Sequence, residues 1–228
     1  MTAIPIVALD FPDAERAMTL VQQLDEKCRF YKVGSELFTA SGADIIQWLR
    51  DTGCDVFLDL KFHDIPNTVA GAMRNVAKMG VRLATVHASG GSKMMDAAVE
   101  AAGSSCGVLA VTVLTSLDDA QLGEAWGKDR VDVENEVLRL AELARSSGVH
   151  GIVCSGQEAQ AVHSRHGSAL KLLIPGIRLP GDAADDQARI ITPEAAVAAG
   201  ATYLVLGRAV TAAKDPRAAM AAVTESLK

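Results

Sequence analysis

The feature that most constrains the fold of this chain is an alternation of eight short apolar runs with eight longer segments of helical periodicity. Short apolar runs bounded by turn residues are typical of buried parallel strands, and the longer segments have the spacing of amphipathic helices. The predicted strands are residues 4–10, 30–34, 56–61, 81–88, 107–114, 151–154, 172–177 and 202–207. The predicted helices are residues 13–25, 36–51, 67–79, 92–102, 133–147, 157–165, 193–199 and 211–226.

Eight strand-and-helix repeats favour an α/β fold of one kind, the closed (β/α)₈ or TIM barrel. We find no linker and no second compositional zone, so we expect residues 1–228 to form a single catalytic domain. The alternative is an open, Rossmann-like sheet. It is disfavoured because the first strand is followed by ALDFPDAE rather than by the Gly-x-Gly-x-x-Gly of dinucleotide-binding folds.

Charge and composition exclude several classes of function. The net charge of −6 comes from interspersed acidic and basic residues, so we expect no binding to nucleic acid or to an anionic membrane surface. No segment approaches the roughly 18 apolar residues of a membrane span, and the N-terminal run is too short for a signal peptide. Four isolated cysteines, Cys28, Cys54, Cys106 and Cys154, are expected to be reduced thiols of the core. We therefore expect a cytoplasmic protein.

The third predicted strand ends in a dense group of charges, within the run VFLDLKFHDIPNT. Asp59 and Lys61 are two positions apart, so both side chains leave the same face of a strand. Asp64 follows, and Pro66 is suited to the first position of a helix. The spacing predicts two carboxylates bracketing one ammonium at the carboxyl end of a strand, where such folds keep their chemistry. The alternative is a solvated cluster of salt bridges with no function.

Polar or turn-forming residues also lie at or beyond the ends of most other predicted strands. They are Asp10, Lys32, His87, Thr115 with Ser116, Pro175 with Gly176, and Gly207 with Arg208. Each has a simpler explanation: Asp10 and Ser116 could cap helices, His87 could be a core histidine bonded to a backbone carbonyl, and Arg208 could merely begin a helix. Together they predict a polar mouth at one end of the barrel.

Two predicted loops are longer than usual and are candidate lids. The first covers residues 115–131 and includes a possible short helix at 117–126. The second covers residues 178–189 and carries Gln187. Because Gly207 and Arg208 come after the next strand, and loops after strands seven and eight often bind phosphate in barrels, we expect a phosphate site there.

The chain resembles the orotidine 5′-phosphate decarboxylases, in particular their bacterial branch. The family's Asp-x-Lys-x-x-Asp-Ile-Pro signature is present at residues 59–66, and further family motifs follow in order over nearly the whole chain. These motifs are Ala8-Leu9-Asp10, Tyr31-Lys32-Val33-Gly34, Val86-His87, Val113-Leu114-Thr115-Ser116, Pro175-Gly176-Ile177-Arg178, Asp186-Gln187 and Gly207-Arg208. The resemblance implies conversion of orotidine 5′-monophosphate to uridine 5′-monophosphate and carbon dioxide in de novo pyrimidine synthesis, without a metal or another cofactor.

The same resemblance implies a role for each matching residue. The catalytic array would be Lys32, Asp59, Lys61 and Asp64, with Lys61 protonating C6 and Asp64 reaching the partner's site in a homodimer. Asp10, Lys32 and Thr68 would hold the ribose, Ser116 the pyrimidine, and Gln187 with Arg208 the phosphate. The implied substrate-binding set is completed by Ile65, Pro175, Arg178 and Gly207.

The chemistry of this decarboxylation is consistent with a fixed ammonium. Loss of carbon dioxide leaves a localised carbanion at C6, which Lys61 could first stabilise and then protonate, while nearby carboxylates favour an ammonium's charged form. Two alternatives stay open. One is a magnesium enzyme like the related 3-keto-L-gulonate 6-phosphate decarboxylase, which has a glutamate ligand where this chain has Lys32. The other is a non-catalytic nucleotide-binding barrel.

Overall fold

The computed structural model describes residues 3–179 and 190–227. Eight parallel strands form a closed barrel in sequence order, because β8 returns to pair with β1. The strands are β1 (Ile4–Ala8), β2 (Phe30–Gly34), β3 (Asp55–Phe62), β4 (Leu83–His87), β5 (Gly107–Val111), β6 (Gly151–Val153), β7 (Lys171–Ile174) and β8 (Tyr203–Leu206). The predicted (β/α)₈ barrel is confirmed, and the open sheet is excluded.

Most predicted strands are longer than the observed ones at their carboxyl ends. β1 and β5 stop at Ala8 and Val111, although the predictions ran to residues 10 and 114. Single backbone bonds continue past these ends, since Leu9 N donates to Lys32 O over 2.9 Å and Thr112 N donates to Val153 O over 3.2 Å. The apolar runs therefore extend beyond the ladders because their last residues enter the loops that form the barrel mouth.

The helices surround the barrel. They are α1 (Ala14–Leu24), α2 (Ser35–Ser41), α3 (Asp44–Asp51), α4 (Pro66–Lys78), α5 (Ser92–Ala102), α6 (Asp119–Trp126), α7 (Val133–Ser146), α8 (Gly156–His166), α9 (Pro193–Ala198), α10 (Arg208–Thr211) and α11 (Pro216–Ser226). The possible short helix in the first long loop is present as α6, which begins with a capping box between Asp118 and Gln121.

Two predicted helices are each divided in the structure. The segment 36–51 breaks at Gly42, whose φ of 60° ends α2 in a conformation that favours glycine. The segment 211–226 breaks before Pro216, which occupies the start of α11. There the Asp215 side chain accepts a hydrogen bond from Ala218 N at 2.9 Å and caps the new helix. In both cases local helix-ending chemistry overrides a continuous apolar pattern.

Two apolar clusters hold the barrel together. The larger cluster lies between strands and helices, and the smaller one fills the barrel interior. The interior cluster comprises Ile6, Ala8, Phe30, Phe57, Leu83, Leu109, Val111, Val153, Leu173, Tyr203 and Val205. It makes the barrel a packed core rather than a pore, so each end of the barrel is a separate mouth.

The four cysteines are buried in the core, as predicted, and none forms a disulfide. Burial raises the pKa of the Cys106 thiol to about 11, so this side chain behaves as a small apolar residue rather than as a nucleophile. Among the helices of the described chain, none combines the length and the apolar character needed to cross a membrane.

Candidate active site

A cavity of about 420 Å³ opens at the carboxyl ends of the strands. Its floor is apolar and its walls carry charged side chains, as is typical of ligand sites in barrels. It is lined by Ala8, Asp10, Lys32, Phe57, Asp59, Lys61, Val111, Val113, Leu114, Thr115, Val153, Leu173, Pro175, Gly176, Arg178, Val205, Gly207, Arg208 and Thr211. The polar mouth that the sequence predicts at the carboxyl ends of the strands is present.

Four charged groups of alternating sign line one wall of the cavity. Lys32 Nζ lies 2.7 Å from Asp10 Oδ1 and 3.9 Å from Asp59 Oδ2. Lys61 Nζ donates to Asp59 Oδ2 over 2.8 Å. The side chains of Lys32 and Asp59 are only 10% and 14% exposed, so their charges are poorly screened by solvent. The two-residue spacing thus brings Asp59 and Lys61 together as predicted.

The backbone of β3 is irregular where this pair lies. Its pairing with β4 shifts register between Leu58 and Phe62, and Lys61 has a φ of 51°, which is uncommon for a residue other than glycine. Thr85 of β4 faces the irregularity: its hydroxyl donates to Asp59 Oδ1 and accepts from Lys61 N, each over 2.9 Å. A bulge beside an active site can re-aim a side chain, and here it carries the cavity lysine.

Asp64 does not complete the expected bracket around Lys61. Its carboxylate accepts a hydrogen bond from the next amide, Ile65 N, at 2.6 Å, and both residues are exposed. Asp64 and Lys61 are both in the described part of the chain, and they form no ion pair with each other. The prediction that two carboxylates of one chain bracket Lys61 is therefore wrong, because β3 continues to Phe62 and the chain then turns towards α4.

Three further predicted site residues lie near the mouth without lining the described cavity. Ile65 and Thr68 are exposed at the start of α4, and the Ile65 residue is 67% exposed. Ser116 is exposed in the loop before α6. The structure therefore groups Ile65, Thr68 and Asp64 on one exposed segment beside the cavity.

The other end of the cavity carries two arginines. Arg178 is buried, its Nη1 donates to Ile177 O over 3.0 Å, and its backbone N donates to Ile191 O over 3.0 Å. Arg208 begins α10 and also lines the cavity. Its position at the start of a helix is therefore compatible with its predicted role in phosphate binding. Pro175 and Gly207 line the same region. Gln187 falls outside the described residues.

His87, at the end of β4, packs against a second histidine rather than into the cavity. Its ring centroid lies 5.3 Å from that of His63. The pKa of His87 is lowered, first by burial and then by the positive charges of His63 and Lys61. The β4 residue that touches the charged array is Thr85, two positions earlier on the same face of the strand.

Two residues that shape this wall, Thr85 and Gly34, are not among the predicted site residues. Thr85 lies within an apolar run, and the only available signal was a polar residue two positions before the polar end of the strand. Gly34 has no side chain to notice, yet a Cβ there would lie 2.9 Å from Lys32 Nζ and 3.0 Å from Asp10 Oδ1. Its hydrogen atom leaves the room that the Lys32–Asp10 pair occupies.

A metal site would need several acidic, histidine or cysteine side chains close together. Within residues 3–179 and 190–227, no group of three or more His, Cys, Asp or Glu side chains could hold a metal ion. Lys32 lies between Asp10 and Asp59, so an ammonium already interacts with the carboxylates that could otherwise attract a cation.

Comparison with known proteins gives a consistent result. The family model described as "Orotidine 5'-phosphate decarboxylase / HUMPS family" matches residues 4–223. The orotidine 5′-phosphate decarboxylase of Pseudomonas syringae pv. tomato is 51% identical over 226 residues, which cover 97% of this chain and 96% of the relative. That of Laribacter hongkongensis is 52% identical over 227 residues, covering 97% and 92%.

Solved structures agree with the sequence relatives. The crystal structure of orotidine 5′-phosphate decarboxylase from Lactobacillus acidophilus has a TM-score of 0.88 and 37% identity, and the match covers 100% of both chains. An uncharacterised conserved protein from Geobacillus kaustophilus has a TM-score of 0.86 and 36% identity, covering 98% of this chain and 100% of that one. The chain thus belongs to the orotidine 5′-phosphate decarboxylase / HUMPS family.

Proposed function

We propose that this chain decarboxylates orotidine 5′-monophosphate to uridine 5′-monophosphate and carbon dioxide, a step of de novo pyrimidine synthesis. Its family and its near full-length relatives of the same name support this carboxy-lyase activity. The observation that carries the proposal is the Lys61 ammonium, held 2.8 Å from Asp59 in the wall of the cavity. A second ammonium, that of Lys32, lies on the other side of Asp59.

In the proposed mechanism the bond between C6 and the carboxylate breaks, and its electron pair stays on C6. Carbon dioxide leaves, and the Lys61 ammonium stabilises the developing carbanion by its charge. Lys61 then donates a proton to C6, and the resulting neutral amine regains a proton from water. No metal or other cofactor takes part in these steps.

Asp59 would face the substrate carboxylate, while Asp10 and Lys32 hold the ribose and the orientation of Asp59. The 2.7 Å pair between Lys32 and Asp10 supports this division, because it fixes Lys32 beside Asp59. Ser116, from the loop before α6, would contact the pyrimidine. These contacts position the substrate so that the reacting carbon lies next to Lys61.

The phosphate would bind at the opposite end of the cavity. Arg208 is the proposed cationic partner, and Gln187 adds an amide, while Pro175, Arg178 and Gly207 shape the surrounding wall. The proposal is supported by the cavity lining, where Arg178, Gly207 and Arg208 come together after β7 and β8. Binding energy from a phosphate far from C6 can offset the cost of ordering the site, so these residues should affect turnover as well as affinity.

We also propose a homodimer in which Asp64 reaches the partner's site, and we assign Ile65 and Thr68, on the same segment, to substrate binding, with Thr68 holding the ribose. The support is their exposure on one segment at the edge of the mouth, with Ile65 67% exposed. The test is to mix Lys61→Ala and Asp64→Ala subunits, each inactive alone. If the site is shared, some mixed dimers regain one intact site and activity returns; no recovery after demonstrated subunit exchange would contradict a shared site.

The proposed unit is the whole chain as one catalytic domain, since pairing of β1 with β8 brings the two ends into one barrel. We place it in the cytoplasm. Its four buried cysteines, none of which forms a disulfide, suit a reducing compartment.

The decisive test of activity is the loss of orotidine absorbance when purified protein is mixed with orotidine 5′-monophosphate. Exhaustive chelation should leave the rate unchanged. A rate that is lost on chelation and restored only by magnesium would favour the alternative magnesium enzyme. Tight binding of uridine 5′-monophosphate without any turnover would favour a non-catalytic nucleotide-binding barrel.

A further inference from the structure

Thr85 occupies a special place in the pairing of β3 with β4. The register aligns Leu58 with Ala84 and Phe62 with Val86, so three residues of β3, Asp59 to Lys61, lie opposite Thr85 alone. Such a bulge leaves backbone groups without their ordinary ladder partners. The Thr85 hydroxyl fills part of this gap by accepting a hydrogen bond from Lys61 N at 2.9 Å.

The same hydroxyl also fixes the carboxylate of Asp59. It donates to Asp59 Oδ1 over 2.9 Å, while Lys61 Nζ donates to Asp59 Oδ2 over 2.8 Å. Both carboxylate oxygens therefore have a donor, and the plane of the carboxylate is set. A hydroxyl has one proton to donate, so its bond to Asp59 leaves a lone pair available for the Lys61 amide.

We propose that Thr85 is a positioning residue for the decarboxylation, acting through both members of the Asp59–Lys61 pair. This inference rests on the function proposed above. Thr85 is 0% exposed and does not line the cavity, so it would influence the reaction without touching the substrate. Its role is to hold the carboxylate and the left-handed Lys61 backbone in the one arrangement that aims the ammonium at C6.

Threonine suits this task for two reasons. Its branched Cβ restricts rotation about χ1, so the hydroxyl stays directed at β3. Its hydroxyl is buried, where a hydrogen bond to a charged carboxylate is stronger than in water. Removing the hydroxyl would leave the Lys61 amide and Asp59 Oδ1 each without this partner. A displacement of about 1 Å in a catalytic group can lower a rate by about 100-fold.

The test compares Thr85→Val, which keeps the shape and removes the hydroxyl, with Thr85→Ser, which keeps the hydroxyl. Thr112→Val is the matched control, because Thr112 is buried directly after β5, the strand that pairs with β4, and its hydroxyl donates over 2.9 Å to a backbone carbonyl, Val153 O. The measurements are kcat and KM for orotidine 5′-monophosphate, the Kd of uridine 5′-monophosphate, and the unfolding temperature.

We expect Thr85→Val to lower kcat by about 30- to 100-fold, with the Kd of uridine 5′-monophosphate changed by less than about threefold. Thr85→Ser should retain kcat within about fivefold, and Thr112→Val within about twofold. If Thr85→Val does not fold, Thr85→Ala is held to the same limits. Failure of both to fold would assign the hydroxyl to folding and overturn the proposal.

Two further results would overturn it. One is a Thr85→Val kcat within about threefold of the unsubstituted enzyme, and the other is an equal loss of kcat in Thr112→Val. The unsubstituted protein separates this proposal from the function on which it rests. If it has no decarboxylase activity, the proposed function fails; if it is active and Thr85→Val is equally active, only the role of Thr85 fails.

Discussion

The two mouths of the barrel present the same kind of charged cluster on the same strand. β3 carries Asp55 at its amino end and Asp59 four residues later, and Phe57 between them belongs to the apolar interior. Each aspartate lies within 4 Å of two cationic side chains. The cavities at the two mouths also have similar volumes, about 420 Å³ at the carboxyl end and about 430 Å³ at the amino end. Neither charge nor size alone distinguishes the active mouth.

The two clusters differ in the type of cation and in the exposure of the aspartate. Asp55 accepts hydrogen bonds from Arg82 at 2.6 Å and Arg50 at 3.1 Å, and its side chain is 38% exposed. Asp59 pairs with lysines and is shielded. An arginine cannot give up its proton in a protein, whereas a lysine can. Only the cluster around Asp59 at the carboxyl end, the upper mouth, can therefore act as an acid. The lower cluster, around Asp55 at the amino end or lower mouth, joins β3 to its neighbours. Stability is the usual role of that end of a barrel.

Replacing Lys61 should show the functional difference between the two mouths most clearly. We expect Lys61→Ala to lower kcat by at least about 10⁴-fold, because it removes both the charge that stabilises the carbanion and the proton donor. The Kd of uridine 5′-monophosphate should stay within about tenfold, or about 1.4 kcal/mol. The matched change at the other mouth, Arg82→Ala, should leave kcat within about threefold. Near-normal turnover in Lys61→Ala would contradict the assignment of this lysine.

Adding one methyl group should have the next largest effect. Gly34→Ala would place a Cβ 2.9 Å from Lys32 Nζ, so the Lys32–Asp10 pair must move. We expect kcat/KM to fall by about 10- to 100-fold. Gly71→Ala is the control, because a Cβ on this residue of α4 would meet Arg74 Nη2 only at 3.8 Å. Equal rates for Gly34→Ala and Gly71→Ala would show that the pair is not needed in this position.

These residues also show what a sequence can reveal about such a site. The order of the strands and the meeting of Asp59 with Lys61 follow from local periodicity, which is visible in one stretch of sequence. Thr85 meets Asp59 through a register shift between two strands, and no local pattern encodes that shift. The lower cluster was missed for a related reason, since Asp55 and Arg82 come together only when β3 and β4 are paired.

The break in the segment 36–51 is a second feature that the apolar spacing does not predict. Gly42 adopts a φ of 60° and ends α2, but the apolar spacing continues across it. A glycine inside a helical pattern is compatible with either a continuous helix or a helix end, and the apolar spacing alone does not distinguish the two. The predicted position of Asp64 beside Lys61 was wrong because β3 ends at Phe62, and spacing along a strand does not predict side-chain directions beyond its end.

Neutralising the lower aspartate should change stability rather than catalysis. Asp55→Asn removes the charge that attracts Arg50 and Arg82 while keeping the size of the side chain. Because these pairs are partly exposed, we expect the free energy of unfolding to fall by only about 1 kcal/mol. The kcat/KM should stay within about twofold. Denaturant unfolding and steady-state kinetics on the same preparation measure both, and a loss of kcat without a loss of stability would reverse the assignment of the two mouths.

The smallest expected effect is on the pH dependence of stability, to which both mouths contribute, because burial lowers the pKa of His87 at the carboxyl end and of His150 at the amino end. His87 lies near Lys61, Asp59 and His63, and its ordinary pKa is 6.5. The unfolded chain therefore binds a proton at this residue more readily than the folded protein does. Stability from His87 is fully present above pH 6.5 and is lost as the pH falls towards the folded pKa.

We expect the free energy of unfolding to decrease from pH 7 to pH 5, and His87→Asn to reduce that slope by less than about 1 kcal/mol over the range. The slope should not vanish, because burial also lowers the pKa of His150 and His166. Urea unfolding at several pH values measures it. If the slopes of His87→Asn and the unsubstituted protein coincide, His87 does not contribute to the pH dependence of stability.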